Sequence, residues 1–189
     1  LSTTDKSPFI TIKSPVCCKY NYPATRGYVD WGLARASHPI PSNCNFYYFE
    51  TKILNDGKTT EIEIGIATDE LDHEENVGYK GKGYRGGNGR LYEYNSWRTI
   101  EYGPTFGKDD VIGCGVNLRT RDIFFTKNGN ILGLTNELLK SDKTWFPAVS
   151  LHAKNAKVEI NFMEHENELR WRYQVSTLTT YLQYKCLYQ

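Results

Sequence analysis

No stretch of this 189-residue chain stays apolar long enough to cross a bilayer, which takes about 20 residues, so no helical span is expected. Charge of one sign is lacking too: 23 Lys and Arg face 22 Asp and Glu, a formal net charge of +1. So balanced a chain projects no broad field, and neither nucleic acid nor an anionic membrane is expected as a partner. None of the five cysteines falls in a Cys-x-x-Cys pair or at zinc-site spacing. They read as mostly reduced thiols, which points to a cytoplasmic or nuclear working compartment. The absence of any Asn-x-Ser/Thr acceptor agrees. There is no G-x-S-x-G, no motif joining Cys to His, and the histidines (His38, His73, His152, His165) are scattered. No nucleophilic enzyme, cofactor or metal site is therefore expected. The chain opens at Leu1 with neither Met nor a signal-like segment, as a recombinant piece or a chain trimmed of a leader would.

Aromatic residues are abundant, at 14% with 14 tyrosines. Tyr and Trp suit both strands and recognition surfaces, since each joins a large apolar body to a polar handle. Residues 102–133 organise the rest. Within 110–118, Ile112, Cys114, Val116 and Leu118 alternate with Gly113, Gly115 and Asn117, the period of a half-buried strand. Residues 122–126 are rich in β-forming aromatics, and Asn128-Gly129 is a type I′ hairpin signal before a third run at 131–134. Further strands are expected at 8–13, 45–54, 61–67, 91–94, 145–151 and 157–162. Residues 69–75, with five acids, and 78–89, with six glycines, read as loops. Residues 134–142 read as irregular or a short helix, and 163–173 as a helix, having good helix formers and neither Pro nor Gly. The chain thus divides into a disordered 1–7, one domain over 8–163, and a C-terminal helix and tail over 164–189 that docks back.

YGPTFGKDDVIGCGVNL followed by FFTKNGNILG resembles the signature of the SPRY domain of the RanBPM type. RASHPIP (35–41), YYFETKI (47–53) and WFPAVSLHAKNAKVEINF (145–162) stand in the matching order, so the resemblance covers roughly residues 7–163. It implies an all-β fold, a bent antiparallel sandwich of the concanavalin-like jelly-roll kind with short flanking helices. It also implies non-catalytic protein recognition through loops at one end. Stand-alone domains of this type are similar to the secreted SPRY effectors of plant-parasitic cyst nematodes, which act on immune receptors in the host cytoplasm. A monomer is expected.

Several motifs invite chemistry. GKGYRG (81–86) matches G-x-G-x-x-G, but no βαβ unit surrounds it, and a flexible glycine loop explains it better. Its basic and aromatic neighbours (Tyr79, Lys80, Lys82, Tyr84, Arg85, Arg90, Tyr92) suit stacked single-stranded bases, an idea the upstream acids oppose. Glu61 and Glu63 are similar to the paired carboxylates of sandwich-fold glycosidases, yet the expected third acid is missing, and a solvated outer strand face accounts for them. The run TDELDHEEN places His73 among carboxylates without EF-hand spacing, so a solvated loop is expected there rather than a metal.

Residues 35–41 carry more. Pro39 and Pro41 stiffen the loop, which lowers the entropy cost of binding, and Arg35 offers a planar fork of donors. In the SPRY family the resemblance implies that this loop forms one wall of a partner groove. RLYEYN (90–95) would form a second wall, with Tyr92 matching an aromatic that contacts peptide in SOCS-box SPRY proteins, and 150–155 a third. A tryptophan of those proteins is replaced here by His152, so their Asn-rich peptide preference does not carry over. The expected partner-binding residues are Arg35, Ser37, His38, Pro39, Ile40, Tyr84, Tyr92, Tyr94 and His152. The other reading of 35–41 is a simple corner. The other function classes are a carbohydrate-binding sandwich using exposed aromatics, and a hydrolase using Glu61 and Glu63.

Overall fold

The computed structural model describes residues 1–21, 31–93, 99–135 and 142–162. Among them the chain forms β1 (Ile10–Ser14), β2 (Cys17–Tyr20), β3 (Gly32–Arg35), β4 (Phe46–Asn55), β5 (Ile62–Thr68), β6 (Gly81–Arg85), β7 (Arg90–Glu93), β8 (Thr99–Glu101), β9 (Val111–Asn117), β10 (Asp122–Lys127), β11 (Asn130–Leu134), β12 (Trp145–Leu151) and β13 (Lys157–Phe162). They make two antiparallel sheets, ordered β1-β2-β13-β4-β9-β10-β11 and β3-β12-β5-β6-β7-β8. This is the all-β sandwich that the alternation and the resemblance lead one to expect.

The core lies between the sheets. Ile112, Cys114 and Val116 enter it from β9, Ile62, Ile64 and Ile66 from β5, and Val158 and Ile160 from β13, all buried. The opposite face of β9 explains its glycines. A Cβ at Gly115 would lie 2.2 Å from Phe124 Cζ, so the ring can lie flat on the strand only because no side chain stands there. At the hairpin, Asn128 and Gly129 have φ of 51° and 82°, the positive pair that the Asn-Gly signal anticipates.

Two expectations need correction. GKGYRG is not a flexible loop but strand β6 and the residue after it, paired with both β5 and β7. Residues 1–7 are tied down rather than frayed: Ser7 is buried, its N–H donates to Leu33 O, and Lys6 bridges Ala34. The only helical piece among the described residues is the 3-10 turn Val77–Tyr79. The helix expected at 163–173, the tail beyond it and most of 134–142 lie outside the described residues.

The six-stranded sheet is buried on its outer face as well. Leu71 and Val77 cover Leu33, Ala67 and Ala148, so the segment 69–80 is a lid on the sheet and every residue of β5 is buried. Glycines permit this close approach. A Cβ at Gly78 would fall 2.2 Å from Tyr92 Cβ, and one at Gly83 would fall 2.8 Å from Glu63 Oε2.

Candidate partner-binding site

Beside this lid, cross-strand register brings charge and aromatics together. Glu63 on β5 is opposite Arg85 on β6, and Ser150 on β12 is opposite Glu63. Side chains of one register row project from the same face. Glu63 is therefore not on a solvated face, as its alternation with the isoleucines suggests, but sealed under the lid at 0% exposure. Its Oε2 accepts the Gly78 N–H at 3.0 Å, and its Oε1 accepts Arg85 Nε at 2.6 Å and pairs with Arg85 Nη2. Burial pushes this carboxyl up to about 6, against the pull of Arg85 and the Gly78 N–H. Ser150 Oγ accepts the Val77 N–H at 3.1 Å, so two outward polar side chains pin the turn.

Arg85, held from below, carries the surface. Its guanidinium carbon lies 3.7 Å from the Tyr92 ring centre and 4.7 Å from that of Trp31. Trp31 stacks on His152 at 4.8 Å with 22° between planes. Asn88 Nδ2 donates to the Tyr92 hydroxyl at 3.0 Å. The result is a half-buried platform, His152–Trp31–Arg85–Tyr92, whose cation is fixed between two rings by a buried carboxylate. Cation–π contacts of this kind contribute roughly 0.5–2 kcal/mol, and the arrangement can present aromatic edges and faces to a partner with little loss of side-chain freedom.

Of the expected site residues, the structure brings Tyr92 and His152 onto this platform. Tyr84 must be corrected to a core residue: fully buried, it packs against Phe106, Tyr102 and Phe125 with ring centres 5.1–5.6 Å away, and its hydroxyl donates to Pro104 O. Arg35 is corrected likewise. Its side chain is 4% exposed, Nη1 donates to Thr68 O and Leu71 O at 2.8 Å each, and Nε and Nη2 donate to Asp5 at 2.8 and 2.5 Å. That fork clamps the lid to the N-terminal segment. His73 Nε2 meets the same Asp5 carboxylate at 2.6 Å. Ile40 is buried, its N–H donating to Trp145 O at 2.8 Å, while Ser37, His38 and Pro39 are exposed at the loop tip. Tyr94 lies outside the described residues.

The loop 35–41 does not join Tyr92 and His152. Arg35 pairs with Ala148 and Gly32 with Leu151, so the loop 35–41 leaves one end of β3 while Trp31 and His152 stand at the other. The contributions of Trp31, Arg85 and Glu63 escape sequence reading. Arg85 sits in β6, whose glycines mask a strand, and only cross-strand register joins it to Glu63. Among the described residues no group of three His, Cys, Asp or Glu is placed to hold a metal ion, and no helix is long and apolar enough to cross a membrane.

Comparison with known proteins matches residues 46–165 to the SPRY domain. The chain is 32% identical over 166 residues to the Ran-binding protein M homolog of Arabidopsis thaliana, covering 86% of this chain and 35% of that protein. It is 37% identical over 138 residues to Ran-binding protein 9 of Danio rerio and of Homo sapiens, covering 72% of this chain and 23% and 18% of theirs. It therefore spans about a third or less of the length of these relatives. Among solved structures, a human SPRY domain superposes with a TM-score of 0.72 at 23% identity, over 85% of this chain and 98% of that one. The SPRY domain of human HERC1 superposes with 0.69 at 18% identity, over 87% and 99%. At those identities the superpositions speak to the fold alone.

Proposed function

The chain belongs to the SPRY-domain family, and from that premise we propose that it is a non-catalytic protein-interaction module that seats a partner segment on the Trp31–Arg85–Tyr92–His152 platform. The observation that carries this reading is the preorganisation of Arg85 between two aromatic rings by the buried Glu63. Trp, Tyr and Arg are the residues that most often dominate protein interfaces, because they desolvate large areas at small entropy cost. Arg85 directs Nε and Nη2 at Glu63, and its Nη1 lies 3.7 Å from Glu61. The platform therefore offers ring surface rather than an open cation.

The same geometry disfavours the hydrolase reading: Glu63 lies sealed beneath Arg85, out of reach of a glycosidic bond. The relatives' names record Ran binding for much longer chains, and the partner proposed here is not specified by them. A reducing working compartment belongs to the same proposal, including the host cytoplasm reached by effectors of the cyst-nematode kind. Cys17, Cys18 and Cys114 support it as buried thiols outside any disulfide.

The test is a displayed random-peptide library panned against the full chain, followed by affinity measurement on the wild type and Trp31→Ala/Tyr92→Ala. Enriched peptides should lose about tenfold or more in affinity, the size expected for removing interface aromatics, with the melting temperature nearly unchanged. Equal affinity for both proteins would remove the platform from consideration.

A further inference from the structure

The far end of the sandwich holds a second, differently built surface. A cleft of about 550 Å³ opens beside the loop 35–41, within the range of roughly 300–1,000 Å³ typical of ligand-engulfing sites. Its floor is apolar: Ile40 and Trp145 are buried there and Leu118 is half-buried. Its outer wall is stiff. Pro39 and Pro41 fix φ, and the Ala36 and Ile40 N–H groups donate to Pro147 O and Trp145 O at 2.8 Å each. These bonds fasten the loop to β12 at Ala36 and Ile40.

The charged residues lining this cleft are Arg121 and Lys143. Lys143 is already matched by Glu70 at 2.6 Å. Arg121 is exposed, forms no ion pair among the described residues, and sits in the β9–β10 turn with φ of 63°. An exposed arginine with no ion pair among the described residues thus lines an apolar cleft.

We propose that this cleft is a second docking site, distinct from the platform, for a segment of a partner protein that inserts a large apolar side chain onto Ile40, Leu118 and Trp145 and places a neighbouring carboxylate on Arg121. Apolar insertion supplies affinity through burial, and the rim charge selects the register and the sign of the flanking residue. With the platform at one end of β3 and the cleft at the other, one domain can hold two segments at once.

The test uses the full chain, ¹⁵N-labelled, titrated with acetyl-Glu-Leu-Phe-Asp-amide and separately with acetyl-Lys-Leu-Phe-Lys-amide. The acidic peptide should shift the amides of Ile40, Leu118, Arg121, Thr144 and Trp145. The basic peptide, or the acidic one with Arg121→Glu, should bind roughly three- to tenfold more weakly, the upper range for one rim ion pair and its reversal. Arg121→Glu alters an exposed turn and should leave the rest of the spectrum in place. Equal shifts with both peptides, or none at these amides at millimolar concentration, would overturn the proposal. Shifts confined to Trp31, Tyr92 and His152 would also overturn it while leaving the platform reading intact.

Discussion

Replacing Arg35 with alanine should destabilise the fold without touching either proposed binding surface. The guanidinium is 4% exposed and satisfies two backbone carbonyls, Thr68 O and Leu71 O, besides both oxygens of Asp5. Truncation removes the side-chain donor of both carbonyls under the lid, leaving Thr68 O only the Leu71 N–H at 3.3 Å, and leaves Asp5 with His73 alone. Removing one member of a buried, hydrogen-bonded charge pair typically costs about 3–5 kcal/mol. Asp5 itself is 35% exposed, so its share is screened and most of the loss comes from the two carbonyls. At roughly 2–4 °C per kcal/mol for a domain of this size, the melting temperature should fall by roughly 6–20 °C. Arg35→Lys should recover less than half, because an ammonium cannot span the acceptors that the planar fork reaches. Urea unfolding followed by tryptophan fluorescence measures the loss, and hydrogen exchange at 69–80 reports whether the lid has loosened. The Arg35 hydrogen bond holds the Asp5 carboxyl below its ordinary value. A depressed folded-state value stabilises above the unfolded one, about 3.8, and that contribution disappears as pH falls through the folded one. A loss under about 1 kcal/mol with unchanged exchange would refute the clamp and return Arg35 to the surface.

Gly78→Ala should cost about 1–3 kcal/mol, since its Cβ would stand 2.2 Å from Tyr92 Cβ and lift the Val77–Tyr79 turn off Glu63; a urea midpoint equal to the wild type would contradict that contact. The Glu63 carboxyl should titrate near 6 by carbon NMR rather than near 4.5. A raised folded-state value stabilises below pH 4.5, so stability relative to Glu63→Gln should fall by about 2 kcal/mol as pH rises from 4.5 to 6; a flat difference would show the carboxylate to be solvated. Cys18 is pushed up to about 12 and Cys114 is raised likewise by complete burial. Iodoacetamide at pH 8 should label both only at the rate of unfolding, and prompt labelling of Cys114 would place it outside the core.

Much of the sandwich is legible because a half-buried strand writes its own period. Ile112, Cys114 and Val116, and Ile62, Ile64 and Ile66, alternate and are core residues; Asn128-Gly129 announces its hairpin. Where both faces are covered the period carries less information. Glu63 lies on the face opposite the isoleucines, and nothing local says that residues 69–80 fold over it. Gly81 and Gly83 read as loop because glycine weakens the strand signal, while their purpose is to let that lid approach. Tyr84, taken for an interface aromatic, belongs to the inward row with Ile64 and Leu91, a placement set by pairing with β5 and β7.

The candidate surface was half readable. Tyr92 and His152 stand out as an aromatic and an imidazole in segments that resemble recognition loops. The loop 35–41 looked like their neighbour and is not, since antiparallel pairing of β3 with β12 sends it to the opposite end. Trp31 completes the platform from a position with no motif of its own, and Arg85 from a glycine-rich motif that suggested a loop.

By itself the amino-acid sequence determined the class, most strand positions, the hairpin and the family, because these depend on local alternation, turn chemistry and ordered motifs within short windows. Only the tertiary structure decided which residues meet: Glu63 with Arg85, Arg85 with Trp31 and Tyr92, Arg35 with Asp5. Register is a long-range property, and a single residue of slip moves every side chain of a strand to the other face.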